Sequence, residues 1–213
     1  MGWRNEMSGK KIAIIDYDAG NLRSVEKAFA YLGEEAFITR EEKEIMRADH
    51  VVLPGVGAFG DAMEKLNRYG LVEVIRKVVQ AGQPFLGICL GLQLLFERSE
   101  ESPGVEGLGI MSGEVVRIPA AEGLKIPHIG WNSLSVKKGS VLFEGIPDEP
   151  YVYFVHSYYL KARNEDEVAA TADYGVRLHA SVERNNLFAC QFHPEKSGEV
   201  GLAILKNFAA FHG

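Results

Sequence analysis

Pro84-Phe85-Leu86-Gly87-Ile88-Cys89-Leu90-Gly91-Leu92-Gln93 is the stretch from which the fold is best read. Residues 84–89 are a short apolar run, as expected of a strand covered on both faces, and the pattern from Leu90 to Glu101 predicts a helix directly after it. A cysteine between two glycines at such a junction is the thiol version of the nucleophile elbow. The turn brings backbone segments so close that a Cβ at either glycine would clash. It lifts the Cys89 side chain out of the sheet and sets the sulfur near a helix N-terminus, where partial positive charge favours the thiolate. The amide of Leu90 then points to where an oxyanion would form. Taken alone, Cys89 is equally consistent with a small buried hydrophobe.

Outward from the elbow, strands and helices alternate with short links. Lys11 to Tyr17 is a second apolar run. Asp18-Ala19-Gly20-Asn21 supplies a turn with Asn21 as helix N-cap, and Leu22, Val25, Phe29 and Leu32 mark a helix closed by Gly33. Further strands fit Ala36 to Thr39 and His50 to Leu53, and helical material runs from about Ala58 to Ala81 with a break near Gly70. This order predicts a parallel α/β sheet. The second half differs. Ile110 to Ile118, Leu134 to Val136, Tyr151 to Lys161, Val168 to Tyr174 and His179 to Phe192 are rich in β-branched and aromatic residues, separated by turn residues, which predicts antiparallel strands. An amphipathic helix from about Gly198 to Phe211 ends the chain.

The composition narrows the functional classes. The 213 residues, 23.5 kDa, are 46% hydrophobic and 24% charged, so the chain can bury a substantial core and reads as one domain. Lys plus Arg is 23 against 29 Asp plus Glu, a net charge of −6 that argues against nucleic acid as the main partner. No run is long enough for a membrane span. Residues 1–10 form a polar extension without the apolar core of a secretory signal, and Met7 offers an alternative start. With only two cysteines, Cys89 and Cys190, a reduced, cytoplasmic protein is expected. The six histidines show no pair at metal-ligand spacing, so neither metal nor cofactor is expected.

Two further motifs carry chemistry. Phe192-His193-Pro194-Glu195 follows a strand, and two-residue spacing sends His193 and Glu195 to one side of an extended segment. The carboxylate can then hold the imidazole in its useful tautomer, completing a nucleophile, base and orienter with Cys89. Pro54-Gly55-Val56-Gly57-Ala58-Phe59-Gly60 fits G-x-G-x-x-G, but the acidic residue expected about 20 positions on, at a strand end, is missing. The competing reading is a mobile Gly55-Val56-Gly57 loop whose amides at Val56 or Gly57 supply a second oxyanion donor.

With these motifs in place, the chain resembles the class I (triad) glutamine amidotransferases from about Lys11 to its end. Pro54 to Met63, Ile126 to Asn132 and Tyr153 to Tyr158 are similar to the glutaminase subunits of imidazole glycerol phosphate synthases. The resemblance implies a flavodoxin-like three-layer α/β fold, a mostly parallel sheet flanked by helices with antiparallel strands added in the second half. It implies that Cys89 attacks the side-chain amide of glutamine, that His193 moves the proton, and that Glu195 orients His193. Leu90, Val56 and Gly57 would hold the oxyanion, while Gln93, His156, Ser157 and Tyr158 would hold glutamine. The implied partner is a cyclase subunit, with the form of a (β/α)8 barrel, facing Asn21, Trp131, Tyr153 and Lys196. Without it the glutaminase would be nearly silent, its loop amide turned away. A glutaminase serving aminodeoxychorismate or pyridoxal phosphate synthesis, and a non-catalytic binding module of the same fold, are the alternatives.

Overall fold

In the computed structural model, which describes residues 9–212, the run Lys11–Ile15 is β1, buried everywhere but at Lys11. Both of its faces are covered, so alternate side chains enter different cores: Ala13 and Ile15 one, Ile12 and Ile14 the other. Three further strands, β2 (Glu35–Thr39), β3 (His50–Gly55) and β4 (Phe85–Cys89), lie parallel with it in the order β2-β1-β3-β4. The connecting helices are α1 (Leu22–Tyr31), α2 (Glu42–Arg47), α3 (Phe59–Arg68) and α4 (Leu71–Gln80). Gly70, at φ 68°, makes the break between α3 and α4. Beyond the elbow come α5 (Leu90–Leu94), β5 (Arg98–Ser99), β6 (Gly113–Arg117), β7 (His128–Ser133), β8 (Ser135–Val136), β9 (Tyr151–His156), β10 (Tyr158–Ala162), β11 (Val168–Asp173), β12 (Arg177–Arg184), β13 (Leu187–Cys190) and α6 (Gly198–Ala210).

The sheet continues from β4 into β13, which is parallel to it, and then into β12, β10 and β6 with antiparallel pairing. Parallel strands in the first half with antiparallel additions in the second are what the sequence predicts. Residues of α2, α3 and α4 fill the core on one face, including Ile45, Phe59, Leu66, Leu71 and Ile75. Val25 and Phe29 of α1 with Ile204, Leu205 and Phe208 of α6 fill the other. Each such side chain contributes roughly 1.5–3 kcal/mol by burial. A separate antiparallel pair, β7 with β9, stands beside the elbow.

Several expectations are corrected. The helix after the elbow ends at Leu94, not Glu101. Arg98–Ser99 pairs as β5 with β6, and exposed Arg98 is bound to Glu114 at 2.8 Å, so tertiary pairing overrides helical periodicity just after buried Leu94, Leu95 and Phe96. Asn21 does not cap α1 with its side chain: at φ 72° it is left-handed, and the side chain turns elsewhere. Gly55 is not part of a mobile loop but ends β3, paired with Cys89. A Cβ there would sit 2.0 Å from the Tyr17 hydroxyl. Tyr151 to Lys161 is broken at Ser157 into β9 and β10, which belong to different sheets. Helix α2 and strand β7 have no counterpart among the elements that the sequence pattern predicts. The polar extension expected over residues 1–10 lies, apart from Gly9 and Lys10, outside the described residues.

Candidate active site

The elbow has the geometry its glycines imply. Cys89 sits between β4 and α5 at φ 55° and ψ −107°, a conformation that L-residues avoid unless their surroundings enforce it. A Cβ at Gly91 would lie 1.8 Å from the Leu53 carbonyl oxygen, and one at Gly87 would lie 2.9 Å from the Gly91 backbone. Both glycines are therefore needed for β3, β4 and α5 to approach. Cys89 is 7% exposed, and neither it nor Cys190 forms a disulfide. As the first residue of α5, Leu90 has an amide with no intrahelical partner.

His193 and Glu195 come in from the adjacent strand, where β13 runs out beside β4. The His193 Nδ1 lies 2.7 Å from Glu195 Oε1, and the His193 amide donates to the Tyr153 carbonyl. Ser197 Oγ donates to the His193 carbonyl and accepts from the Tyr153 amide, which fixes the turn. Nε2 of His193 is buried with no hydrogen-bond partner among the described residues, leaving it to the Cys89 sulfur. Burial pushes the ring toward neutrality, but contact with Cys89 and with Glu195 outweighs it and raises its pKa to about 9. Asn21 Nδ2 donates to the same Oε1 of Glu195. The residue expected to face a partner therefore also braces the carboxylate.

Cys89 opens into a pocket of about 280 Å³ lined by Val56, Gly57, Leu90, Gln93, Glu101, Pro127, Val155, His156, Ser157 and Tyr158. Every residue expected to hold the oxyanion or the substrate is in that lining. Val56 and Gly57 are exposed at its mouth, with Gly57 at φ 108°. Val56 packs against the β1–α1 turn, where a Cβ on Gly20 would come within 2.9 Å of it. The phenol of Tyr17 donates to the Pro54 carbonyl just before this loop, and burial together with the Cys89 charge raises its pKa.

His156 Nδ1 lies 2.9 Å from the Tyr158 carbonyl, which can only accept, so His156 is protonated there. Its Nε2 then accepts from His128 Nδ1 at 3.0 Å. Burial lowers both pKa values to about 4, so the rings form a neutral pair. Distant in sequence, these two histidines show no ligand-like spacing yet meet in space.

Two pocket-side groups were missed. Glu101 takes part in the lining while its Oε2 accepts the Phe59 amide at the start of α3. Nothing in its local sequence marks it. Gln191, 1% exposed, contacts both Cys89 and Gln93. A lone amide in the apolar run Leu187 to Phe192 was the available signal. Of the expected partner-facing residues, Trp131 is 56% exposed and packs edge-on against half-buried Tyr153, and Lys196 is exposed.

A family model described as glutamine amidotransferase class-I matches residues 13–210. The chain belongs to that family. This amidotransferase is 54% identical to the imidazole glycerol phosphate synthase subunit HisH of Caldanaerobacter subterraneus subsp. tengcongensis, over 92% of this chain and 96% of the relative. It is equally identical to the HisH subunit of Methanothermobacter thermautotrophicus, with the same coverage. Among solved structures, a glutamine amidotransferase shares 23% identity at a TM-score of 0.71, covering 92% of this chain and 98% of that one. PurLQS from Thermotoga maritima shares 19% at a TM-score of 0.73, covering 94% of this chain and 97% of the matched one. Those two likenesses concern the fold.

Proposed function

We propose that this amidotransferase is the glutaminase subunit of an imidazole glycerol phosphate synthase, working in the cytoplasm in histidine biosynthesis. It hydrolyses glutamine to glutamate and ammonia and passes the ammonia to a (β/α)8 cyclase subunit. One observation carries the reading: Cys89, His193 and Glu195 meet beside an amino-acid-sized pocket in a chain 54% identical to HisH subunits over nearly its whole length.

Glutamine enters with its side-chain amide toward the sulfur. Glu101, the carboxylate in the pocket lining, suits the α-ammonium, and Gln93 with residues 156–158 holds the rest. The Cys89 thiolate attacks the amide carbon, and the oxyanion is met by the Leu90 amide and by an amide of Val56 or Gly57. With its pKa held at about 9, His193 is protonated at neutral pH and gives its Nε2 proton to the leaving ammonia. Once the thioester has formed, the sulfur carries no charge to hold a proton on the ring. His193 is then a neutral base that takes a proton from water, and the thioester opens to glutamate. Glu195, braced by Asn21, keeps Nδ1 protonated throughout.

Ammonia released into water is protonated and loses its nucleophilic lone pair, so the product must leave through a closed path into the partner. Exposed Trp131 with Tyr153, Lys196 and the Asn21 turn form the docking side. The Val56–Gly57 loop gates turnover by turning its amide toward the oxyanion only when the partner holds its ligand. An electrophilic glutamine analogue, a γ-diazoketone, tests the chemistry. Mass mapping should place the adduct on Cys89 and find none in Cys89→Ala; labelling elsewhere, or none in the complex, contradicts the reading.

A further inference from the structure

Gln191 is a buried amide that the steps above do not use, and its orientation can be fixed atom by atom. The Tyr158 carbonyl can only accept. Gln93 Nε2 donates to it at 3.1 Å, and the same Nε2 donates to Gln191 Oε1 at 3.0 Å. With its oxygen taken, Gln191 can present only its NH2 group to the remaining neighbour, the Cys89 sulfur, and Nε2 lies 3.7 Å from it. The backbone supports this aim. Cys190 pairs with Ile88 across β13 and β4, placing Gln191 beside Cys89, and the Gln191 amide donates to the Ala180 carbonyl at 2.8 Å. A full amide in a site 1% exposed to water is costly unless its atoms are paired, and here both are.

We propose that Gln191 is a further catalytic residue, a neutral hydrogen-bond donor that holds the Cys89 sulfur as thiolate and aims it at the pocket. The titratable groups around the sulfur are His193 with Glu195 behind it, Tyr17, Cys190 and, across the pocket, Glu101, His156 and Tyr158. Of these only His193 brings positive charge, and it does so only while it keeps its proton. Gln191 donates in every step, including the thioester stage, when His193 is neutral and supplies no positive charge. The chain from Tyr158 through Gln93 to Gln191 also ties the substrate pocket to the nucleophile, so a ligand that pulls on Gln93 acts on the sulfur.

The proposal rests on Cys89 as the nucleophile, and its test needs no glutamine turnover, so the two readings fail separately. The full chain is alkylated with iodoacetamide across pH, and adducts at Cys89 and buried Cys190 are separated by mass mapping. Gln191→Met removes the donor at nearly constant volume. The half-maximal pH should move up by about one unit with the plateau rate unchanged, so that alkylation well below the parent midpoint falls about tenfold. Gln191→Glu, which offers oxygens in place of the donor, should move the midpoint further. A packing role alone would lower thermal stability and leave the midpoint in place. In the parent chain, the Gln191 side-chain amide resonances should shift with the Cys89 titration, a readout independent of how the variants fold. A folded variant that keeps the parent profile, or resonances that ignore the titration, would overturn the proposal.

Discussion

Cys89 keeps its left-handed backbone only because Gly87 and Gly91 let three segments close around it. Gly91→Ala would press a methyl into the Leu53 carbonyl, a backbone atom that cannot step aside without moving β3. We expect a loss of about 3 kcal/mol or more in urea unfolding, and an unchanged midpoint would contradict the packing argument. Asn21 offers a finer test. Asn21→Ala removes a donor to the buried Glu195 and should lower kcat at least tenfold with little change in KM, because the imidazole loses its support rather than the substrate its site. A change in KM alone would place Asn21 outside the triad. These residues differ in how readily the sequence reveals them. Cys89 and His193 sit in patterns that need particular neighbours at fixed spacing. The role of Asn21 depends on Glu195, 174 positions away, and its side chain looked like a local cap.

The β7–β9 pair shows how alternation divides one ribbon between two tasks. His128 and Asn132 with Val152, Phe154 and His156 turn toward the core, while Ile129, Trp131, Tyr151 and Tyr153 make an aromatic outer face. Trp131→Ala should weaken binding to the proposed cyclase partner by about 2 kcal/mol, read by calorimetric titration, while leaving the melting temperature of the isolated chain nearly unchanged. Unaltered affinity would move the docking surface elsewhere. β1, β3 and β4 are legible in the sequence because their apolar runs are short, continuous and bounded by turn residues. The pattern is ambiguous where two sheets meet. Strand β7 carries Gly130 and Asn132 among its apolar residues, and α5 is followed by Leu95 and Phe96, buried whether the chain is helical or not.

The molecule as a whole should be acid-labile for a stated reason. His128 and His156 are buried as a neutral pair, with His128 stacked between Phe154 and Tyr174. Their folded pKa values of about 4 lie below the unfolded value near 6.5. The unfolded chain therefore takes up protons first. Their contribution is fully present above about pH 6.5 and is lost as pH falls toward 4, by up to roughly 3 kcal/mol per ring. Denaturant melts at pH 7.5 and 5 should show this drop, and His128→Phe, which stacks without titrating, should flatten it; an unchanged slope would contradict the neutral pair. The central claim is a partner-gated glutaminase, and the most direct measurement is glutamate release from glutamine by this chain alone and with the proposed cyclase partner and its nucleotide ligand. The account predicts little turnover alone, strong turnover in the liganded complex, and none with Cys89→Ala. Full turnover without the partner, or none in a ligand-saturated complex, would contradict it.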